Sequence, residues 1–313
     1  MKIRVLDLDG SVAAQRLLLE RFEPAVVDLR SWGPRLRLGC TFGRFRRFEK
    51  ALAAAGRDPA LTLLGSGDFH HITLALLRRI REPFNLLVLD NHPDWMRGVP
   101  ILHCGTWLYH AARLPAVRHI FHVGGDVDFD NRFRWLAPWR QLRSGKIRVI
   151  PAVRRYEAGR WADLDCPPLR ETPRQPFGRE RIQRLIEPWA ADLARYPLYV
   201  SLDKDVMTAQ EAVVNWDSGH LTLPELESVV AAFVAAAGGD LAGVDVVGDW
   251  SRVRLRGLLR RLLHWTEHPR LSVVPLMATW RNQQTNLAVL GGLLETLGAA
   301  GGVGEAGKLA LAG

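Results

Sequence analysis

The chain has 313 residues, 48% hydrophobic and 24% charged, with 42 Lys+Arg against 33 Asp+Glu. This composition excludes a disordered chain, a collagen-like chain and a disulfide-stapled miniprotein, and the length suffices for one large α/β domain with its own core. The net charge is +9, but only five residues are lysine and the arginines are spread through amphipathic segments, so the charge does not single out nucleic acid as the partner.

Mean hydropathy is −0.04, and no apolar run approaches the about 18–20 residues of a membrane helix, so no membrane partner is expected. The start, MKIRVLDLDG, places acids where a secretion signal has its apolar stretch. Cys40, Cys104 and Cys166 are odd in number, far apart and without zinc-type pairing, which fits a cytoplasmic location.

In chain order, short β-branched or leucine-rich runs at 3–6, 25–29, 61–64, 85–89, 119–123, 147–150, 198–201, 243–247 and 271–275 read as strands. Several are apolar throughout, as strands covered on both faces require. Helical stretches lie between many of them, at 44–54, 72–80, 179–195 and 223–237. The last opens with Thr222-Leu223-Pro224-Glu225, a capping box with proline near its start. The alternation predicts a three-layer α/β/α fold with a mostly parallel sheet, as a single domain over residues 1–290. Residues 156–178, rich in Pro, Arg and Asp, read as a surface excursion. Residues 291–313 are Gly/Ala-rich and read as a tail or short helix.

Parallel sheets bind ligands outside the carboxyl ends of their strands. The residues at those ends are acids and histidines: Asp68, His70 and His71 after 61–64; Asp90, His92 and Asp94 after 85–89; Asp126 and Asp128 after 119–123; Asp203 and Asp205 after 198–201; Asp249 after 243–247. Collecting that many like charges is costly without a compensating cation. Alternate residues share a side of an extended chain, which groups Asp90, His92 and Asp94, and groups Asp203 with Asp205. Mixed Asp/His sets suit divalent ions such as Mn²⁺ or Fe²⁺, and a two-ion cluster needs bridging carboxylates, which these aspartates can supply.

The motifs Gly67-Asp68-Phe69-His70, Asp90-Asn91-His92-Pro93-Asp94 and Ser201-Leu202-Asp203-Lys204-Asp205 follow one another in that order. In this the chain resembles the arginase/ureohydrolase family, and Gly219-His220-Leu221-Thr222 echoes a further family segment. The resemblance runs from about residue 61 to 249 and implies an arginase-like fold. It implies two Mn²⁺ ions held by His70, Asp90, His92, Asp94, Asp203 and Asp205, with Asp90 and Asp203 as bridges. It implies a metal-bridging hydroxide attacking a guanidino, amidino or amide carbon in a linear C–N substrate. His103 takes the part of the family's proton-relaying histidine, and Asp205 joins it among the catalytic candidates. The expected partner is a small molecule, and homo-oligomers are left open.

The chain departs from the family pattern in three places. Phe69 displaces the histidine motif, so the ligand is His70 by its spacing or His71 by adjacency. Lys204 stands between two ligands, where alternation turns it away from the metals. Where the family has a glutamate that grips guanidinium, this chain has Gly248, which leaves space for a wider pocket, and then Asp249. Asp249 is the candidate substrate acid, with Trp95 and Trp250 as candidate walls. Two alternatives remain. One is a degenerate member that binds metal without turnover. The other is a haloacid-dehalogenase-type phosphatase, because Leu6-Asp7-Leu8-Asp9-Gly10 resembles that family's first motif.

Overall fold

The computed structural model describes residues 1–53, 60–127, 132–154, 176–255, 261–262, 264–265, 268–269 and 272–310. The apolar runs form one central sheet of eight strands: β1 (Lys2–Asp7), β2 (Ala25–Asp28), β3 (Ala60–Leu63), β4 (Phe84–Leu89), β5 (Val117–Val123), β6 (Ile147–Ile150), β7 (Leu198–Asp203) and β8 (Leu241–Val247). Their order is β2-β1-β3-β8-β7-β4-β5-β6, and every adjacent pair is parallel. β4 and β7, at the centre, are buried at every residue. Strand alternation sends Leu87, Leu89, Val200 and Leu202 to one face and Leu86, Val88 and Tyr199 to the other, and each set belongs to a separate apolar cluster. The first face is covered by helices Arg179–Ile186, Leu223–Ala236 and Pro275–Ala310, the second by Phe42–Leu52, Thr73–Leu77 and Trp107–Ala111. That is the expected three-layer arrangement.

The capping box forms as read: the Thr222 N–H donates to Glu225 Oε2 at 2.9 Å. Three expectations meet a different outcome. Residues 272–274 are not a strand, and Leu271 lies outside the described residues. Pro275 begins a helix, since its fixed φ and missing N–H suit a helix start better than a sheet ladder. That helix runs unbroken to Ala310, across the boundary read at Gly291. The 179–195 helix is divided at Pro188, which sits in the short turn Glu187–Trp189. Most of the expected excursion, residues 155–175 with Cys166, lies outside the described residues, as does Asp128.

β3, β8, β7 and β4 are consecutive in the sheet. Their carboxyl ends therefore bring residues 66–72, 248–250, 203–206 and 90–95 to one edge, although they are distant along the chain.

Candidate metal centre

His70 sits in the short 3₁₀ helix Gly67–Ile72 that follows β3. Its Nδ1 lies 3.1 Å from Asp90 Oδ2, 3.2 Å from Asp94 Oδ2 and 3.4 Å from Asp203 Oδ2. Of the two adjacent histidines, His70 is the one that meets the carboxylates. The opposite nitrogen, Nε2, is 3.1 Å from Ser201 Oγ, and that hydroxyl donates to Asp245 Oδ1 at 3.0 Å. With the Ser201 proton directed to Asp245, the serine oxygen accepts from Nε2–H. Nε2 is thereby set as the donor to Ser201, and Nδ1 is the nitrogen that faces the acids.

Asp90 also takes the His92 N–H on Oδ1 at 2.7 Å. His92 Nδ1 is 2.8 Å from Asp205 Oδ2 and 3.9 Å from Asp90 Oδ1. Asp203, the last residue of β7, accepts the Asp205 N–H at 3.0 Å. Asp94 adopts φ +49, a left-handed conformation that Asp tolerates. It is held there by the Leu108 N–H on its carbonyl at 3.0 Å and by Trp107 Nε1–H on Oδ2 at 2.8 Å. Two overlapping groups result, His70–Asp90–Asp203 and Asp90–His92–Asp205, with potential ligand atoms within 4.8 Å of one another in each.

The electrostatics of the cluster ask for a cation. Burial, with the charges of Asp94 and Asp203, pushes Asp90 up to about 7. Burial and the neighbouring aspartates also raise Asp203 and Asp205. Burial opposes the charged form of His92, but Asp205 and Asp90 outweigh it and raise the ring to about 10. His70 is likewise held well above its ordinary value by Asp203, Asp90 and Asp94 against the cost of burial. His70 Nδ1 and Asp90 Oδ2 are buried without hydrogen bonds of acceptable geometry, although 3.1 Å apart. Two lone-pair donors converging this way fit a divalent ion.

The other expected site residues fall elsewhere. Lys204 turns away from the cluster, as alternation requires, but it is buried rather than solvated, with Nζ 2.9 Å from Asp249 Oδ1. Asp249 also accepts from Gln15 Nε2 at 2.8 Å and Asn286 Nδ2 at 3.2 Å. Its carboxylate is thus committed to the interior rather than presented to a substrate. Gly248 leaves no space: at φ +103, a Cβ there would meet Asp203 Oδ1 at 2.4 Å. The wider pocket read from that glycine is therefore corrected to close backbone packing on a candidate ligand. His103 caps the turn Cys104–Thr106, its Nδ1 accepting the Gly105 N–H at 3.0 Å. Trp95 is buried against the His122 ring, and Trp250 is half-buried with its N–H on the Val213 carbonyl.

The aromatic side chains beside the cluster are Trp107, whose ring lies 4.7 Å from the His70 ring, and Trp216. The Trp216 ring meets the His92 ring edge-on at 5.5 Å, and the His92 side chain, 34% exposed, is the most open of the candidate ligands. Trp216 Nε1 donates to Asp68 Oδ1 at 3.1 Å, and Arg37 Nε donates to Asp68 Oδ2 at 2.6 Å. Burial works against the Asp68 charge, yet Arg37 and His268 hold its carboxyl well below the usual range. Arg37 carries no distinguishing signal in the sequence, because it follows none of the strands read there and belongs to no motif.

The phosphatase motif does not form a nucleophile. Asp7 pairs with Arg30 at 2.6 Å and accepts the Gly10 N–H. Asp9 accepts from Ser11 Oγ at 2.7 Å, Ser251 Oγ at 2.6 Å and the Ser66 N–H. Both acids tie loops together at the sheet edge.

No family model matches the chain. A protein of Thermotoga maritima without assigned function is 25% identical over 189 residues, which span 60% of this chain and 58% of that protein. Among solved structures, arginase from Bacillus subtilis superposes with a TM-score of 0.55 at 14% identity, covering 93% of this chain and 99% of the other. Formimidoylglutamase from Bacillus subtilis gives 0.52 at 13%, covering 93% and 86%. A hypothetical agmatinase from Burkholderia thailandensis gives 0.51 at 17%, covering 96% and 87%. The likeness is one of fold: the chain has an arginase/ureohydrolase-like fold with a strongly diverged sequence. Its candidate His/Asp metal ligands lie at the carboxyl edge of that fold's sheet.

Proposed function

We propose that the chain is a metal-dependent hydrolase of linear C–N bonds in guanidino, amidino or amide compounds, working with two divalent ions assigned as Mn²⁺. The observation that carries this reading is the pair of His/Asp groups sharing Asp90 at the carboxyl edge of the sheet. His70, Asp90, Asp94 and Asp203 would hold one ion, and His92, Asp90, Asp203 and Asp205 the other. Two bound divalent ions supply Lewis acidity and bring the pKa of water near neutrality.

The chain's own residues supply orientation and proton transfer. Ser201 and Asp245 fix the His70 ring, and Trp107 fixes Asp94. His103 is the proposed proton relay. With Nδ1 occupied by the Gly105 N–H, Nε2 is the nitrogen that would take up a proton and pass it to a leaving amine. Substrate reaches the cluster on the His92 side, past Trp216. A small molecule is the partner this reading requires. A cytoplasmic location suits three cysteines that are odd in number and without zinc-type spacing. No described helix is long and apolar enough to cross a membrane.

Closure at Gly248 and the commitment of Asp249 to Lys204 leave a guanidinium without a carboxylate from the β8 end. Free arginine is therefore a poor substrate in this reading, and another amidine, guanidine or amide is preferred. The same observation favours a second reading, a metal-binding protein without turnover. The test is release of urea or ammonia by Mn²⁺-loaded protein from arginine, agmatine, guanidinobutyrate, formiminoglutamate and simple amides. Turnover of a compound other than arginine supports the hydrolase. Efficient arginine hydrolysis would overturn the substrate assignment, and two bound ions with no hydrolysis would favour the second reading.

A further inference from the structure

β5 lies beside β4, and its carboxyl end presses on the loop that carries Asp90 and His92. Gly125, at φ +72, sits so close that a Cβ there would meet the Asn91 carbonyl oxygen at 2.4 Å. From the other side, Asp205 Oδ1 accepts the Asn91 N–H at 3.0 Å. His92 follows directly, and its carbonyl oxygen is 2.8 Å from Nε2 of His122, a fully buried residue next to the end of β5. A carbonyl only accepts, so Nε2 carries the proton and donates. Nδ1 of His122 is buried without a hydrogen-bond partner, and the Trp95 ring packs against the imidazole at 5.4 Å between centroids. The ring is thus held by packing and aimed by one hydrogen bond, at the backbone of a candidate ligand.

We propose that His122 is a positioning residue for the ion site formed by Asp90, His92 and Asp205. Its hydrogen bond to the His92 carbonyl fixes the backbone from which the His92 imidazole reaches Asp205 and Asp90. The inference rests on the two-ion reading and assigns His122 to one ion only. His70, on the other side of Asp90, draws its orientation from Ser201 and Asp245 instead. His92 is also the ligand that surrounding protein packs least, so it depends most on a fixed backbone.

The test is calorimetric titration of metal-free protein with Mn²⁺ for the wild type, His122→Phe and His122→Gln, with thermal melting of each metal-free form. Phenylalanine keeps the ring volume against Trp95 but sets carbon against a carbonyl oxygen. The glutamine amide can still reach it. The wild type should take up two ions. His122→Phe should keep one site at wild-type affinity and weaken the other about 10–100-fold. His122→Gln should recover most of that loss. If His122→Phe does not fold, His122→Asn replaces it, with an amide too short to reach. Two sites of wild-type affinity in the Phe variant, equal loss at both sites, or no recovery with Gln would each overturn the positioning role. A wild type that takes up no Mn²⁺ removes the two-ion reading itself, and that outcome is separate because it needs no variant.

Discussion

Replacing Asp249 by alanine should strand Lys204 in the protein interior. The ammonium is 2.9 Å from Asp249 Oδ1, and the two side chains are 0% and 1% exposed. Gln15 and Asn286 donate to the same oxygen, so the variant removes one acceptor from three buried donors. Deleting one partner of a buried ion pair costs about 3–5 kcal/mol. Burial already pushes the Lys204 ammonium below its ordinary value, so loss of the proton sets an upper limit on the damage. Lys204→Met leaves the carboxylate its two amide donors and should cost less, about 1–3 kcal/mol. The double variant should lose less than the sum of the two, by about 1–3 kcal/mol of coupling. The assay is equilibrium urea unfolding in chelator, followed by tryptophan fluorescence and far-UV circular dichroism, whose transitions should coincide. Losses below about 1 kcal/mol for Asp249→Ala, or strict additivity in the double variant, would refute the buried-pair reasoning.

Asp203→Ala and Asp94→Ala should each lower bound metal after dialysis, measured by elemental analysis, because each removes a charged candidate ligand facing His70. Unchanged stoichiometry in both would count against the site. His103→Ala should reduce turnover and leave metal content intact; loss of metal would move His103 among the ligands, and unchanged turnover would leave it a turn cap. Ser201→Ala breaks the link between His70 and Asp245 and should weaken Mn²⁺ binding about 10-fold or more in a calorimetric titration. Wild-type affinity in that variant would show that the ring is oriented by packing alone.

Much of the site was legible because it follows from strand ends. An apolar run that stops at Asp, as in 85–90 and 198–203, places the acid at the sheet edge in any parallel α/β arrangement. Spacing pointed to His70 as the candidate between two neighbouring histidines, and its Nδ1 lies 3.1 Å from Asp90 Oδ2. What could not be read is what the neighbours of those residues do. Asp249 stands at a strand end like Asp90 and Asp203, but its partners Gln15 and Asn286 come from distant helical segments, and only the tertiary fold unites them with Lys204. Gly248 reads as open space in a sequence and proves to be backbone pressed against Asp203. His122 has the identity of a metal ligand and the position of a strand-end residue, yet its ring is turned to a carbonyl. The β-branched run ahead of Pro275 suggested a strand because local propensity says nothing about whether a sheet edge is near enough to pair with it.

The central claim is a pair of ions bridged by Asp90. Its most direct test is anomalous scattering from a crystal grown with Mn²⁺, recorded on both sides of the manganese edge. Two anomalous peaks are predicted, one contacting His70, Asp90 and Asp203 and the other contacting Asp90, His92 and Asp205. A cluster with no anomalous peak, or with ions that leave Asp90 unbridged, would contradict the account.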